Sequence, residues 1–151
     1  QKVALDLFHF VDADQFLALN EAAQPELTRV LQDVVAGDID LPSMLKGREA
    51  AARSSRDKVR VSTVVHFDHH YSDRYTVLEV GGANQWGLLY GISRVMSEHG
   101  CDIELVLIST EGDRATDVFH LTRNGKKLSS GMEEELRSGL EQLPGLQSDT
   151  H

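Results

Sequence analysis

Arg74-Tyr75-Thr76-Val77-Leu78-Glu79-Val80-Gly81-Gly82 is the stretch from which the rest of the chain can be ordered. Its β-branched and aromatic run has the composition of a strand, and the glycine pair closes it. Downstream, Leu88, Leu89, Ile92, Val95 and Met96 recur at helical spacing, and His99 with Gly100 supplies the stop. Ile103 to Ser109 is almost continuously apolar (Ile103, Leu105, Val106, Leu107, Ile108) and reads as a central strand. Glu111-Gly112-Asp113 is a hairpin turn, and Ala115 to Thr122 is the returning strand. Asn124-Gly125 marks another turn, after which Met132, Leu136, Leu140 and Leu143 predict a helix ending at Pro144-Gly145. The order from Arg74 is thus β, α, β, β, α, one strand short of a ferredoxin-like βαββαβ sandwich, an α+β fold.

Upstream of Arg74, Val59, Val61, Thr63, Val65 and Phe67 alternate with polar residues as in a half-buried strand. Further back, a repeat accounts for the opening residues. Ala4-Leu5-Asp6-Leu7-Phe8-His9-Phe10 aligns with Ala115-Thr116-Asp117-Val118-Phe119-His120-Leu121, identical at four of seven positions. Each copy precedes a polar turn and an amphipathic helix. The first helix is expected over Glu26 to Ala36, with Leu27, Val30, Leu31, Val34 and Val35 inward and Gly37 as its stop. Residues 1–36 therefore read as the last strand and helix of one module, 37–57 as a linker with a short helix, 58–145 as a second module, and 146–151 as a solvated tail. An orphan strand and helix cannot bury a face alone, which predicts dimerisation or strand sharing.

Composition bounds the function. The 151 residues carry 15 Lys plus Arg against 24 Asp plus Glu, a net charge of −9, with no sustained basic patch. Such a chain is repelled by nucleic acid and by anionic lipid, so neither is an expected partner. A single cysteine, Cys101, excludes an internal disulfide and fits a reducing, cytoplasmic setting. No apolar run approaches a membrane span. The chain starts at Gln1 rather than Met, as a piece of a larger protein would.

Several residues carry chemistry. The turn Asn84-Gln85-Trp86-Gly87 before Leu88 offers helix N-terminal N–H groups to a carboxylate, and Asn84 can both accept from an ammonium and donate to a carboxylate. The same residues also suit a plain helix cap, and Trp86 suits a lid or an interface anchor. His66-x-Asp68-His69-His70 has metal-ligand residue types but no second cluster to complete a site, so a solvated turn is expected and no metal. The pairs Asp12-x-Asp14 and Asp38-x-Asp40 lack the Gly-Ser turn of a nucleotidyltransferase and read as loop acids. Cys101 reads as a small core residue, and the repeated His9 and His120 as sheet packing. No catalytic constellation and no cofactor site emerges.

Taken together, Asp73-Arg74-Tyr75-Thr76-Val77-Leu78-Glu79-Val80, Gly87-Leu88-Leu89-Tyr90 with Ile92-Ser93-Arg94, and Thr110 to Phe119 with Gly125-Lys126-Lys127-Leu128 resemble the C-terminal ACT domains of bacterial protein-PII uridylyltransferases. The resemblance covers residues 59–143, and Val3 to Leu45 is similar to the end of the preceding ACT domain and its linker. It implies a regulatory segment of a nucleotidyltransferase that acts on the signalling protein PII and carries an HD-type hydrolase. By that resemblance the paired ACT domains bind a small amino-acid effector, glutamine first. Their usual Asp-Arg-Pro-Gly turn is here Asn84-Gln85-Trp86-Gly87, so Asn84, Gln85, Trp86, Gly87 and Leu88 are the expected ligand residues. A homodimer or an intramolecular ACT–ACT pair is the expected assembly. The second reading is an ACT-type pairing module that binds nothing small.

Overall fold

The computed structural model describes residue 15 and residues 19–52 and 61–147, with side chains left undescribed over 47–52. The chain divides into two compact units, residues 1–48 and 49–151. The expected strand at Ala4–Phe10, His9, the Asp12/Asp14 pair and the last residues of the tail lie outside the described residues.

In the first unit, helix α1 (Ala23–Ala36) ends at Gly37, whose left-handed φ of 81° lets its N–H reach the Asp33 and Val34 carbonyls. This is the expected stop, and the helix starts three residues earlier than the periodicity gives. Arg29 links Glu26 and Asp33 along the exposed side, each at 2.7 Å. The expected inward face is not buried: Leu27 is 43% exposed and Leu31 50%, and no α1 residue is buried. Helix α2 (Leu41–Ala52) fills most of the expected linker. Pro42 sits in its first turn, where a missing N–H costs nothing, and Asp40 accepts from the Ser43 hydroxyl at 2.5 Å.

The second unit is a four-stranded antiparallel sheet, β1 (Val64–Asp68), β2 (Thr76–Ala83), β3 (Asp102–Glu111) and β4 (Arg114–Thr122), in the order β1-β2-β4-β3. Helices α3 (Leu88–Glu98) and α4 (Ser130–Glu141) follow β2 and β4. The register sorts the faces. Leu78 opposes Phe119, Val80 opposes Asp117, and Phe67 opposes Leu78, so these share one side. That side packs on Ile92, Val95 and Met96 of α3 and Leu136 and Leu140 of α4. Each fully buried leucine contributes about 1.5–3 kcal/mol of transfer free energy. The helices approach closely at Gly139, where a Cβ would lie 3.0 Å from a Val95 methyl.

Local signals act as their chemistry predicts at most junctions. Ser129 caps α4 by accepting from the Met132 N–H. Asn124 and Gly125 take φ of 53° and 69°, the left-handed pair of a tight hairpin turn closed by the Arg123–Lys126 bridge.

Four expectations are corrected. The connectivity is ββαββα rather than βαββαβ. The strand that completes the sheet is β1, upstream of β2, and no strand follows α4 among the described residues. Residues Val65 and Phe67 have the right alternation to cover Leu78 and Val80, so the missing neighbour of β2 is supplied from the N-terminal side. Second, β3 is an edge strand, not a central one, and all ten of its residues are exposed. An apolar run specifies a strand with two faces to bury but not which strand buries them. Third, β2 runs through Gly81 and Gly82 to Ala83. The glycine pair admits a close approach instead of ending the strand, since a Cβ on Gly82 would stand 2.5 Å from the Gly145 carbonyl oxygen. Fourth, the tail is anchored. Gly145 accepts from the Ala83 N–H at 3.3 Å, and Leu146 is fully buried in the core.

Candidate functional site

The turn between β2 and α3 is held from two sides. The Asn84 N–H donates to the Asp113 carbonyl at 2.7 Å, and its Nδ2 lies 3.4 Å from the Gly112 carbonyl, at the tip of the β3–β4 hairpin. On the other side, Gln85 packs against Gly145, where an added Cβ would lie 3.2–3.3 Å from the Gln85 amide. Asn84 is therefore not the α3 cap. Gly87 takes that position, with φ of 80° and no side-chain cap. The absence of a side-chain acceptor there leaves the first turn of α3 with the partial positive charge that attracts anions. The Leu88 N–H turns back to the Gln85 carbonyl at 3.2 Å.

The five expected ligand residues thus divide. Asn84, Gln85, Trp86 and Gly87 lie together at the surface end of the turn, with Trp86 43% exposed. Leu88 points elsewhere, being 7% exposed and part of the core. Sequence reading missed the turn's two partners, Gly112-Asp113 and Gly145, because both are distant in sequence and act through backbone atoms.

The histidine cluster is dispersed. Asp68 closes an Asx turn, accepting from the His70 N–H at 2.6 Å and the Tyr71 N–H at 3.0 Å, and these bonds hold its carboxyl below the usual range. His69 pairs instead with Glu133 of α4 at 2.6 Å. Among the described residues no group of three His, Cys, Asp or Glu side chains comes together as a metal site. His120 is packed on the sheet face away from the helices, stacked on Tyr75 with ring centroids 5.6 Å apart and edge-on to Tyr71. Cys101 packs against the core, and burial pushes its thiol up.

Asp117 was not singled out by the sequence. It is 3% exposed on the helix-facing side of β4, and its Oδ1 has no hydrogen-bond partner. Burial raises its carboxyl above the ordinary value, against a hydrogen bond from the Ser109 N–H.

The fold and site define an α+β sandwich with a polar turn at a helix start, and among the described residues no helix is long and apolar enough to cross a membrane. No protein-family model matches the chain. Three similar proteins share the name bifunctional uridylyltransferase/uridylyl-removing enzyme. The protein of Novosphingobium aromaticivorans is 36% identical over 105 residues, 69% of this chain and 11% of that protein. That of Rhodopseudomonas palustris is 36% identical over 95 residues, 61% of this chain and 10% of the relative. That of Rhodospirillum rubrum is 26% identical over 118 residues, 78% and 13% respectively. The chain therefore spans about a tenth of the length of the curated relatives it matches.

Proposed function

We propose that this chain is a regulatory segment of a uridylyltransferase/uridylyl-removing enzyme, built from ACT modules and responsive to an amino acid, glutamine first. The similarity to proteins of that name, over 69% of the chain at 36% identity, supports the parentage, and the polar turn at the start of α3 is the feature on which the amino-acid reading rests. On this reading residues 58–145 are one ACT module and residues 1–36 the end of another, joined by 37–57, and the parent protein acts on PII in the cytoplasm. The effector carboxylate binds the start of α3 at Asn84–Gly87. Because Asn84 is tied to Gly112 and Asp113, a ligand there bears on the β3–β4 hairpin, which gives the turn a mechanical connection to the edge strand.

Isothermal titration calorimetry with glutamine tests this reading. Saturable heat is expected, lost in Asn84→Ala while the thermal melt stays cooperative. No heat at millimolar glutamine overturns it. The second reading is a pairing module without a small ligand, and the exposure of every β3 residue favours it specifically. An apolar edge with open backbone groups is a template for another strand, whether from a second chain or from a neighbouring ACT module. Association that depends on protein concentration, with no response to amino acids, supports this second reading.

A further inference from the structure

The two stretches Asp73–Tyr75 and Gly125–Lys127 meet at the end of the sheet opposite the Asn84 turn, where they line a half-open cavity of about 390 Å³. That volume lies within the range of about 300–1,000 Å³ for small-molecule sites. The third wall is Glu104 of β3. Glu104 is the extra residue of a β-bulge, skipped between the pairs Ile103–Leu121 and Leu105–His120. A bulge re-aims a side chain, and here the carboxylate accepts from the Thr122 hydroxyl at 3.1 Å, with Thr122 itself 3% exposed.

Parts of the other walls are fixed as well. The Leu128 N–H donates to the fully buried Thr76 hydroxyl at 2.9 Å, which pins the Asn124-Gly125 turn to the start of β2. Lys127 Nζ donates to the His69 carbonyl at 2.7 Å, and the Arg74 guanidinium lies 5.3 Å from the centre of the Tyr75 ring. The cavity thus presents three cations, Arg74, Lys126 and Lys127, and two carboxylates, Asp73 and Glu104. Among the described residues no ion pair within 4.0 Å joins the two sets. Opposite charges that line one cavity without pairing with each other are complementary to a molecule carrying both charges. A pure anion would meet Asp73 and Glu104, and a pure cation would meet the two lysines and Arg74.

We propose that this cavity is a second binding site, distinct from the Asn84 turn, for the zwitterionic head of a free α-amino acid. The ligand carboxylate faces Lys126, Lys127 and Arg74, and its ammonium faces Glu104 and Asp73.

The test is a ¹⁵N–¹H NMR titration of the whole chain with L-glutamine and the other natural L-amino acids. N-acetyl-L-glutamine, which lacks the ammonium, and inorganic phosphate serve as controls. The expected result is a saturable shift of the Glu104, Gly125, Lys126 and Lys127 amides with at least one amino acid. The acetylated analogue, Lys126→Glu and Glu104→Gln should each weaken binding roughly tenfold or more, the worth of one charge-assisted hydrogen bond. Both substituted side chains are exposed, and the dispersion of the unliganded spectrum reports that each variant is folded. No shift at these amides with any amino acid at millimolar concentration overturns the proposal. Equal response to phosphate or to the acetylated analogue also overturns it, by making this an anion site only. Shifts confined to residues 84–88 overturn it while supporting the effector turn, and shifts confined to the cavity do the reverse.

Discussion

Asp117 stands on the helix-facing side of β4, with Val80 of β2 and Ile108 of β3 as its register partners, and one carboxylate oxygen is unpartnered. Its raised carboxyl fixes the sign of a pH effect. Below the ordinary aspartate range the proton is held in both folded and unfolded chains. As pH rises through the unfolded value toward the raised folded one, the unfolded chain ionises first and stability is lost. Asp117→Asn removes that ionisation and retains an acceptor for the Ser109 N–H. The variant should melt higher than the parent at neutral pH, by about 1–3 kcal/mol for an unsatisfied buried group, with the gap closing in acid. A constant gap from acid to neutral pH counts against the assignment. The sequence marks this residue only as a repeat position shared with Asp6, because its alternation with Ala115 and Phe119 places it on a face without saying what lies opposite. Gly82 and Leu146 were equally hidden. Each is explained by the other segment, a glycine that admits a chain returning past Pro144 and a leucine that fills the core from beyond the last helix. By contrast Gly37 and Gly125 were legible in kind, since turns and helix stops are set by near neighbours.

Strand β3 is legible as a strand and illegible as an edge. The run from Ile103 to Ile108 satisfies the pattern of a strand covered on both sides, yet Leu107 is 56% exposed and Ile108 52%. The composition is accounted for if another strand lies alongside. Leu107→Lys places a charge on the side of β3 away from the helices, opposite Val118 and at a position outside the core cluster. In sedimentation velocity the variant should be monomeric at concentrations where the parent associates, and its melting temperature at low concentration should be unchanged. Association of equal strength in parent and variant would exclude this edge as the contact. The opposite edge needs no such cover. Strand β1 is half as long, with five residues against ten, and exposes His66 at its middle. Short, polar edges resist unwanted pairing, so the two sides of one sheet differ in availability. The amphipathic α1 is a similar case: its stripe was readable, and its lack of burial was not, because burial depends on a surface that periodicity does not name.

At the scale of the molecule, the second unit is a ββαββα sandwich whose first strand stands where the expected order would put the last. Removing residues 1–70 tests this arrangement. Without Val65 and Phe67 the helix-facing side of β2 loses its cover, and cooperative thermal unfolding should disappear from the remaining chain. A sharp melt in the truncated protein would show that β1 is dispensable. The element order from Arg74 onward was legible because each element has strong local periodicity. The closing strand was misplaced because antiparallel pairing constrains position and direction, not which end of the chain supplies the strand. That permutation also decides how the sheet yields to force. A pull transmitted from upstream arrives at Val64, the free end of an outer hairpin arm whose rungs run from Val64–Gly81 to Asp68–Val77. Such an arm unzips one rung at a time instead of shearing all at once. The resistance comes from Val65 and Phe67 packed on the core and from Arg137, which reaches from α4 to the Val65 carbonyl and lies over the Phe67 ring at 5.3 Å from its centre. Tension along the chain would therefore open β1 first, and because Val65 and Phe67 cover the core, its release would unlatch the rest of the sheet and not spare it.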